Sequence, residues 1–221
     1  MTKNRLQYQN IIVLLITATL LLLGCKPAYY YTMEQFGVHK RDLLVQGVEK
    51  ASHAQEEAKE QFKSALEQFS AVVNFDGGVL QQKYDQLSSE LKNSESKAEE
   101  VQEQINSVED VAKALFNEWE TELQQYSNKN MQKISKQNLT ETRQRYAKLI
   151  SAMKRVEQKI EPVLSTFRDQ VLFLKHNLNA QAIASLQSEL VSVESSVASL
   201  ISEMEVSIAE ADTFIHAMSQ K

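Results

Sequence analysis

Apolar residues downstream of position 37 recur at alternating steps of three and four residues, in four long segments. The first segment keeps this spacing through one polar member, Gln55, and the second keeps it through Ser94. Steps that average 3.5 residues are typical of coiled coils and exclude strands, whose side chains alternate with a period of two. Many of these apolar positions are pairs of adjacent residues, as at Leu149 and Ile150. The resulting wide apolar face favours helices packed on two sides. The pattern therefore predicts a bundle of long helices.

Three polar breaks between the segments predict tight turns. Asn-Phe-Asp-Gly-Gly at 74–78 is a strong turn signal, and polar residues at 127–130 and 177–179 mark the other two breaks. Asn179 is placed to cap the helix that follows it. Pro162 falls inside the third segment, but the apolar register continues across it, so we expect a kink and not a chain reversal.

The helices are expected at roughly 38–74, 80–126, 132–177 and 180–219. Similar lengths and short connections favour antiparallel neighbours. We predict an all-α fold over residues 38–219, an elongated antiparallel four-helix coiled-coil bundle in up-down-up-down order. Two helical hairpins that open or associate between chains remain an alternative. In the bundle the first and third turns meet at one end, about 60 Å from the membrane at which the first helix starts, and this end is our candidate partner contact. Its residues are Phe75, Asp76, Gly77, Gly78, His176, Asn177 and Asn179.

The first 25 residues have the pattern of an export signal. Lys3 and Arg5 precede an apolar run from Ile11 to Leu23 that only two threonines interrupt. Such a run spans about 20 Å as a helix, which is short of the ~30 Å hydrocarbon core of a bilayer. This length suits the apolar region of a signal peptide.

The apolar run ends in Leu22-Leu23-Gly24-Cys25, which resembles the lipobox of bacterial lipoproteins. The resemblance implies cleavage between Gly24 and Cys25, followed by acylation of the Cys25 thiol and of the new amino group. Three acyl chains would make the anchor nearly permanent. We therefore expect a signal peptide at 1–24, a lipidated tether at 25–37, and export to a bacterial membrane. Because Lys26 and not Asp follows the cysteine, the resemblance suggests the outer membrane, facing the periplasm.

Aromatic and basic residues near the tether are candidate membrane contacts. Tyrosine rings favour the headgroup zone, and basic groups attract anionic headgroups. A solvated tether and helix start is the alternative. The candidates are Lys26, Tyr29, Tyr30, Tyr31, His39, Lys40 and Arg41.

The charge balance and the spacing of polar residues argue against nucleic acid and against catalysis. The chain carries a net charge of −5, whereas a nucleic-acid partner requires a basic stripe. His39 and His53 would lie ~21 Å apart along one helix, too far to share a metal ion. Asp169 and His176 share a helix face but lie ~10 Å apart, so a salt-bridged face is the preferred interpretation. We predict no catalytic residue, no metal and no cofactor.

Three stretches of the sequence carry a family resemblance: Gly37 to Asp42, Val73 to Gly78 and Phe167 to Ala180. They resemble an uncharacterised bacterial family called domain of unknown function 2959. The resemblance covers nearly all of the chain after Cys25 and implies no established function. Our hypothesis is a membrane-anchored, non-enzymatic helical scaffold that contacts an envelope protein or a second copy of itself. The alternative is a helical bundle that carries an apolar or small ligand in a cavity near Pro162.

Overall fold

The computed structural model describes residues 39–75, 77 and 79–219, and nearly all of them lie in four helices. They are α1 (Lys40–Val73), α2 (Leu80–Leu123), α3 (Lys129–His176) and α4 (Ala180–Ser219). No strand occurs in these described ranges. The all-α, four-helix prediction is therefore confirmed, and each helix boundary falls close to its expected position.

The chain divides into two compact units, residues 1–43 and 44–221. In the first unit the structure describes residues 39–43, where the backbone amides of Asp42 and Leu43 both donate to the carbonyl of His39. The second unit carries the bundle. The predicted signal peptide and tether lie outside the described residues, and so do the cleavage and lipidation site and four candidate membrane contacts. These are Gly24, Cys25, Lys26, Tyr29, Tyr30 and Tyr31.

Polar contacts between successive helices show that each helix runs opposite to the next. In each pair of neighbours, a later residue of one helix contacts an earlier residue of the other, as antiparallel packing requires. The contacts are Glu57–Lys97 and Gln61–Glu90 between α1 and α2, Glu95–Arg168 and Glu120–Arg143 between α2 and α3, and Arg155–Glu203 and Lys159–Ser199 between α3 and α4. The up-down-up-down order follows.

The core is built from the apolar stripes that the heptad spacing predicts. Phe62 and Phe69 of α1, Phe167 of α3 and Phe214 of α4 are among the largest fully buried side chains. The rings of Phe69 and Phe167 meet edge to face, with 6.2 Å between their centroids. This geometry adds about 0.5–1.5 kcal/mol to what burial alone contributes. Because α1 and α3 touch across the core, the helices of this chain form one bundle.

Side-chain caps and one glycine define the turns. The Asn128 side chain accepts hydrogen bonds from the backbone amides of Asn130 and Met131, at 2.9 and 3.2 Å. The Asn179 side chain accepts one from the amide of Ala182 at 3.0 Å, which confirms its predicted capping role. Gly77 has a φ of 147°, a conformation that side chains with a Cβ rarely adopt.

Helix α3 continues without interruption past Pro162. The absence of a chain reversal agrees with the sequence expectation. Across all the residues that the structure describes, no helix combines the length and apolarity needed to cross a membrane.

Candidate contact surface

Two of the three turns lie at the same end of the bundle. Since α1 and α3 both run opposite to α2, they run parallel to each other, and the contact between Phe69 and Phe167 lies in the last third of both helices. The α1–α2 turn (residues 74–79) and the α3–α4 turn (residues 177–179) therefore share one end. We call this the two-turn end.

Large apolar side chains are exposed at the two-turn end. Val79, Leu172, Phe173 and Leu178 belong to a small set of exposed large hydrophobic residues, and Val79 and Leu172 have 56% and 59% of their surface accessible. Val171 and Leu174, which flank Leu172 and Phe173 in the sequence, are buried. Four consecutive apolar residues exceed what one helix face can bury. That run is the sequence signal for exposed apolar residues here, but the heptad spacing includes only Val171 and Leu174 and so did not predict the exposed pair.

The residues predicted to form the partner contact occupy this end, with different exposures. Gly77, His176 and Asn179 are exposed, whereas Phe75 and Asn177 are half-buried. The Asn177 side chain donates a hydrogen bond to the carbonyl of Phe173 at 2.9 Å. Asp76 and Gly78 lie outside the described residues. The accessible surface is therefore more apolar than the sequence suggested.

At the start of α1, the three candidate membrane contacts that the structure describes also differ in exposure. His39 is exposed, Arg41 is half-buried and Lys40 is buried, with 9% of its surface accessible. A buried lysine offers little of its ammonium group to a headgroup. Their role at a membrane remains a prediction.

Arg168 is at the centre of an ion-pair network, whereas its neighbour Asp169 is an exposed residue of the same helix. The Arg168 guanidinium donates hydrogen bonds of 2.6 Å to Glu95 of α2 and to Glu161 of its own helix. These two carboxylates raise the pKa of Arg168 above its usual value. His53 lies 3.5 Å from Glu57. Over the described ranges, no group of three histidine, cysteine, aspartate or glutamate residues is arranged to hold a metal ion.

Two grooves lie between α2 and α3. One has a volume of about 440 Å³ and lies beside Pro162, with Glu95, Glu161 and Arg168 among its lining residues. The side chains of Val163 and Phe167 fill the core nearby. The second groove has a volume of about 550 Å³ and lies beside the α2–α3 turn.

The fold and its surface define an all-α four-helix-bundle protein that exposes apolar side chains beside two adjacent turns. The chain belongs to the family described as Protein of unknown function (DUF2959), whose model matches residues 29–218. This match confirms the resemblance seen in the sequence. Neither a curated protein nor a solved structure matches the chain.

Proposed function

We propose that this chain is a lipid-anchored protein of the bacterial cell envelope that acts as a non-enzymatic helical scaffold. Its anchor is the acylated Cys25 inferred from the lipobox-like sequence. Its partner, either another envelope protein or a second copy of the chain, binds at the two-turn end.

The observation that carries the proposal is the exposure of Val79, Leu172, Phe173 and Leu178 at one end of the bundle. Exposed apolar groups next to a polar rim commonly mark protein interaction sites. Leu172 and Phe173 project from a helix whose neighbouring residues Val171 and Leu174 are packed in the core. A rigid helix holds these two side chains in place, which lowers the entropic cost of binding.

Site-specific photo-crosslinking in cells tests the proposal. A photoreactive phenylalanine analogue replaces Phe173 in one variant and Val206 in a control, because Val206 is also exposed but lies within α4, away from the turns. The probe at position 173 should give a discrete crosslinked product, either with one envelope protein or with a second copy of the chain. Equal products from both positions, or none from position 173, would contradict the proposed contact.

A pair of substitutions then links the crosslink to the apolar surface. Leu172→Ser in the presence of the probe at 173 should abolish the product, since it removes an exposed apolar group beside the probe. Val206→Ser should leave the product unchanged. Neither exposed change should alter the free energy of unfolding by more than about 0.5 kcal/mol, which denaturation by urea can verify.

Support is weaker for the alternative, a bundle that carries an apolar ligand near Pro162. Ligand sites are usually concave and mainly apolar. The groove beside Pro162 is lined by several glutamates, and Arg168 already pairs with two of them. Apolar side chains close the core beneath it.

A further inference from the structure

A lysine stripe at the start of α3 differs in charge from the rest of the chain. Residues 123–140 contain Lys129, Lys133 and Lys136 and no acidic residue, although the whole chain carries −5. The three lysines are spaced four and three residues apart, so they lie on one face of the helix. All three are exposed.

The lysines of this stripe are free of carboxylate partners among the residues that the structure describes. The Lys129 ammonium donates to the side-chain oxygen of Gln132 at 3.3 Å, which leaves its positive charge uncompensated. By contrast, Arg143 further along the same face pairs with Glu120 at 2.6 Å. Three lysine charges are therefore available to an external anion.

The same lysines line the groove beside the α2–α3 turn. Its volume is about 550 Å³, and Leu123 and Leu139, both buried, are its apolar lining residues. A cationic side and an apolar base suit a group that combines a phosphate with a hydrocarbon portion. An anionic phospholipid, with its phosphate headgroup and acyl chains, has this chemistry.

Exposed amphipathic and apolar residues surround the turn itself. Tyr126 lies within the turn, and Met131 and Ile134 lie on the other flank of α3, with 57% and 53% of their surface accessible. Tyrosine and apolar side chains favour the boundary between headgroups and acyl chains. If α2 and α3 approached a bilayer with their connecting turn first, both the lysines and the apolar residues on the other side of α3 would reach the headgroup layer.

The direction of α1 places this turn at the end of the bundle where the larger unit begins. A Cβ atom at Gly47 would lie 3.6 Å from the Cγ2 atom of Val108, so the early part of α1 packs on the late part of α2. The α2–α3 turn is therefore at the opposite end from the two-turn end. On the proposed function, the membrane anchor precedes α1 in the sequence.

We propose that the α2–α3 turn, through Lys129, Lys133 and Lys136, docks onto anionic phospholipid headgroups of the membrane that anchors the chain. The inference rests on the proposed function for the presence of that membrane. The stripe fixes the turn against the bilayer, and the two-turn end then faces away from it. The lysines thus orient the scaffold that the lipid only tethers.

The test places a reporter beside the turn, near the start of α3, in the full chain reconstituted in vesicles. Met131→Cys carries an environment-sensitive fluorophore, and Val206→Cys carries it in the control. The label at position 131 should show blue-shifted emission and quenching by brominated lipid in vesicles that contain phosphatidylglycerol. It should not do so in vesicles of phosphatidylcholine alone, and the label at position 206 should remain in water in both.

A matched pair of lysine variants assigns the effect to the stripe. Replacing Lys129, Lys133 and Lys136 by Gln should shift the docking equilibrium by roughly 100-fold, at about fivefold for each lysine near an anionic surface. Replacing Lys50, Lys92 and Lys175, which are exposed elsewhere, should leave it within about twofold. Salt at 0.5 M should weaken docking of the unsubstituted chain, because it screens exposed charges.

Two results would overturn the inference. One is emission from the label at position 131 that shows it remains in water in the presence of anionic vesicles. That result is expected if the stripe binds an acidic protein and not the lipid. The other is docking that the two lysine variants reduce equally. The intact mass of the same sample reports separately on the anchor. An unmodified Cys25 would contradict the proposed function, whereas the inference on the stripe is decided by the label at position 131.

Discussion

Single residues in the core follow the heptad spacing closely. The two polar members of the predicted stripes, Gln55 and Ser94, are both fully buried, as the register requires. The Ser94 hydroxyl donates to the carbonyl of Glu90 at 2.8 Å. Neither the side-chain oxygen nor the side-chain nitrogen of Gln55 has a hydrogen-bond partner in the described part of the chain. Periodicity predicted where these residues lie, but it carries no information on hydrogen-bond partners from other helices.

Replacing Gln55 by leucine should stabilise the protein. A buried amide without partners costs about 1–3 kcal/mol, and leucine fills a similar volume without that cost. The free energy of unfolding, measured by urea denaturation, should therefore rise by about this amount. The control Gln46→Leu, at an exposed position of the same helix, should change it by less than about 0.5 kcal/mol. A lower stability of the Gln55 variant would show that its amide is satisfied.

At the scale of helices and turns, the sequence predicted the number and order of elements. Polar breaks located all three turns, and Asn179 caps α4 as expected. The start of α3 was placed at residue 132, whereas the helix begins at Lys129, because the Asn128 side chain caps the amides of residues 130 and 131. The exposure of Leu172 and Phe173 was missed. Which apolar residues of a wide stripe are left uncovered depends on neighbouring helices, and a single-helix pattern does not contain that information.

The proline inside α3 should cost stability. Pro162 is exposed, so replacing it by alanine loses little packing and restores one backbone donor to the helix. Pro162→Ala should raise the free energy of unfolding by up to about 3 kcal/mol. The control Ser165→Ala, also exposed in α3, should have an effect below about 0.5 kcal/mol. An unchanged or lower stability of the proline variant would mean that the helix geometry depends on the proline.

Ion pairs between helices should make stability fall in acid. Hydrogen bonds from Lys97, Arg143 and Arg155 lower the pKa values of Glu57, Glu120 and Glu203, respectively, below the ordinary 4.5. The unfolded state therefore binds protons first as the pH falls below 4.5. This contribution is fully present at neutral pH and is lost as the pH passes through the lowered values.

Urea midpoints at pH 7 and pH 3 measure this loss. The Glu120→Gln variant should lose less stability between the two pH values than the unsubstituted chain, because it has no proton to bind at that position. Glu122→Gln, an exposed neighbour whose carboxylate is unpaired among the described residues, should behave like the unsubstituted chain. An identical loss for all three chains would contradict a role for the pair of Glu120 with Arg143.

At the scale of the whole molecule, the short connections predicted the up-down-up-down topology. Side-chain packing decided between one bundle and two hairpins. The sequence allowed one bundle or two hairpins, and the contact between Phe69 and Phe167 joins α1 to α3 in one bundle. The net charge of −5 concealed the lysine stripe, since a sum over the chain averages local differences. A count over residues 123–140 would have revealed it. Both ends expose apolar side chains, but the end with the α2–α3 turn also carries the lysine stripe, which suits a scaffold fixed at that end and bound to a partner at the other.

The attachment of the bundle to a membrane through Cys25 is the claim on which the proposed roles of both ends depend. Mass spectrometry of the amino-terminal peptide, from protein extracted from native membranes, measures it directly. We predict a peptide that begins at Cys25 and carries the mass of acyl chains on its thiol and amino group. A peptide that retains residues 1–24 and an unmodified thiol would contradict the account.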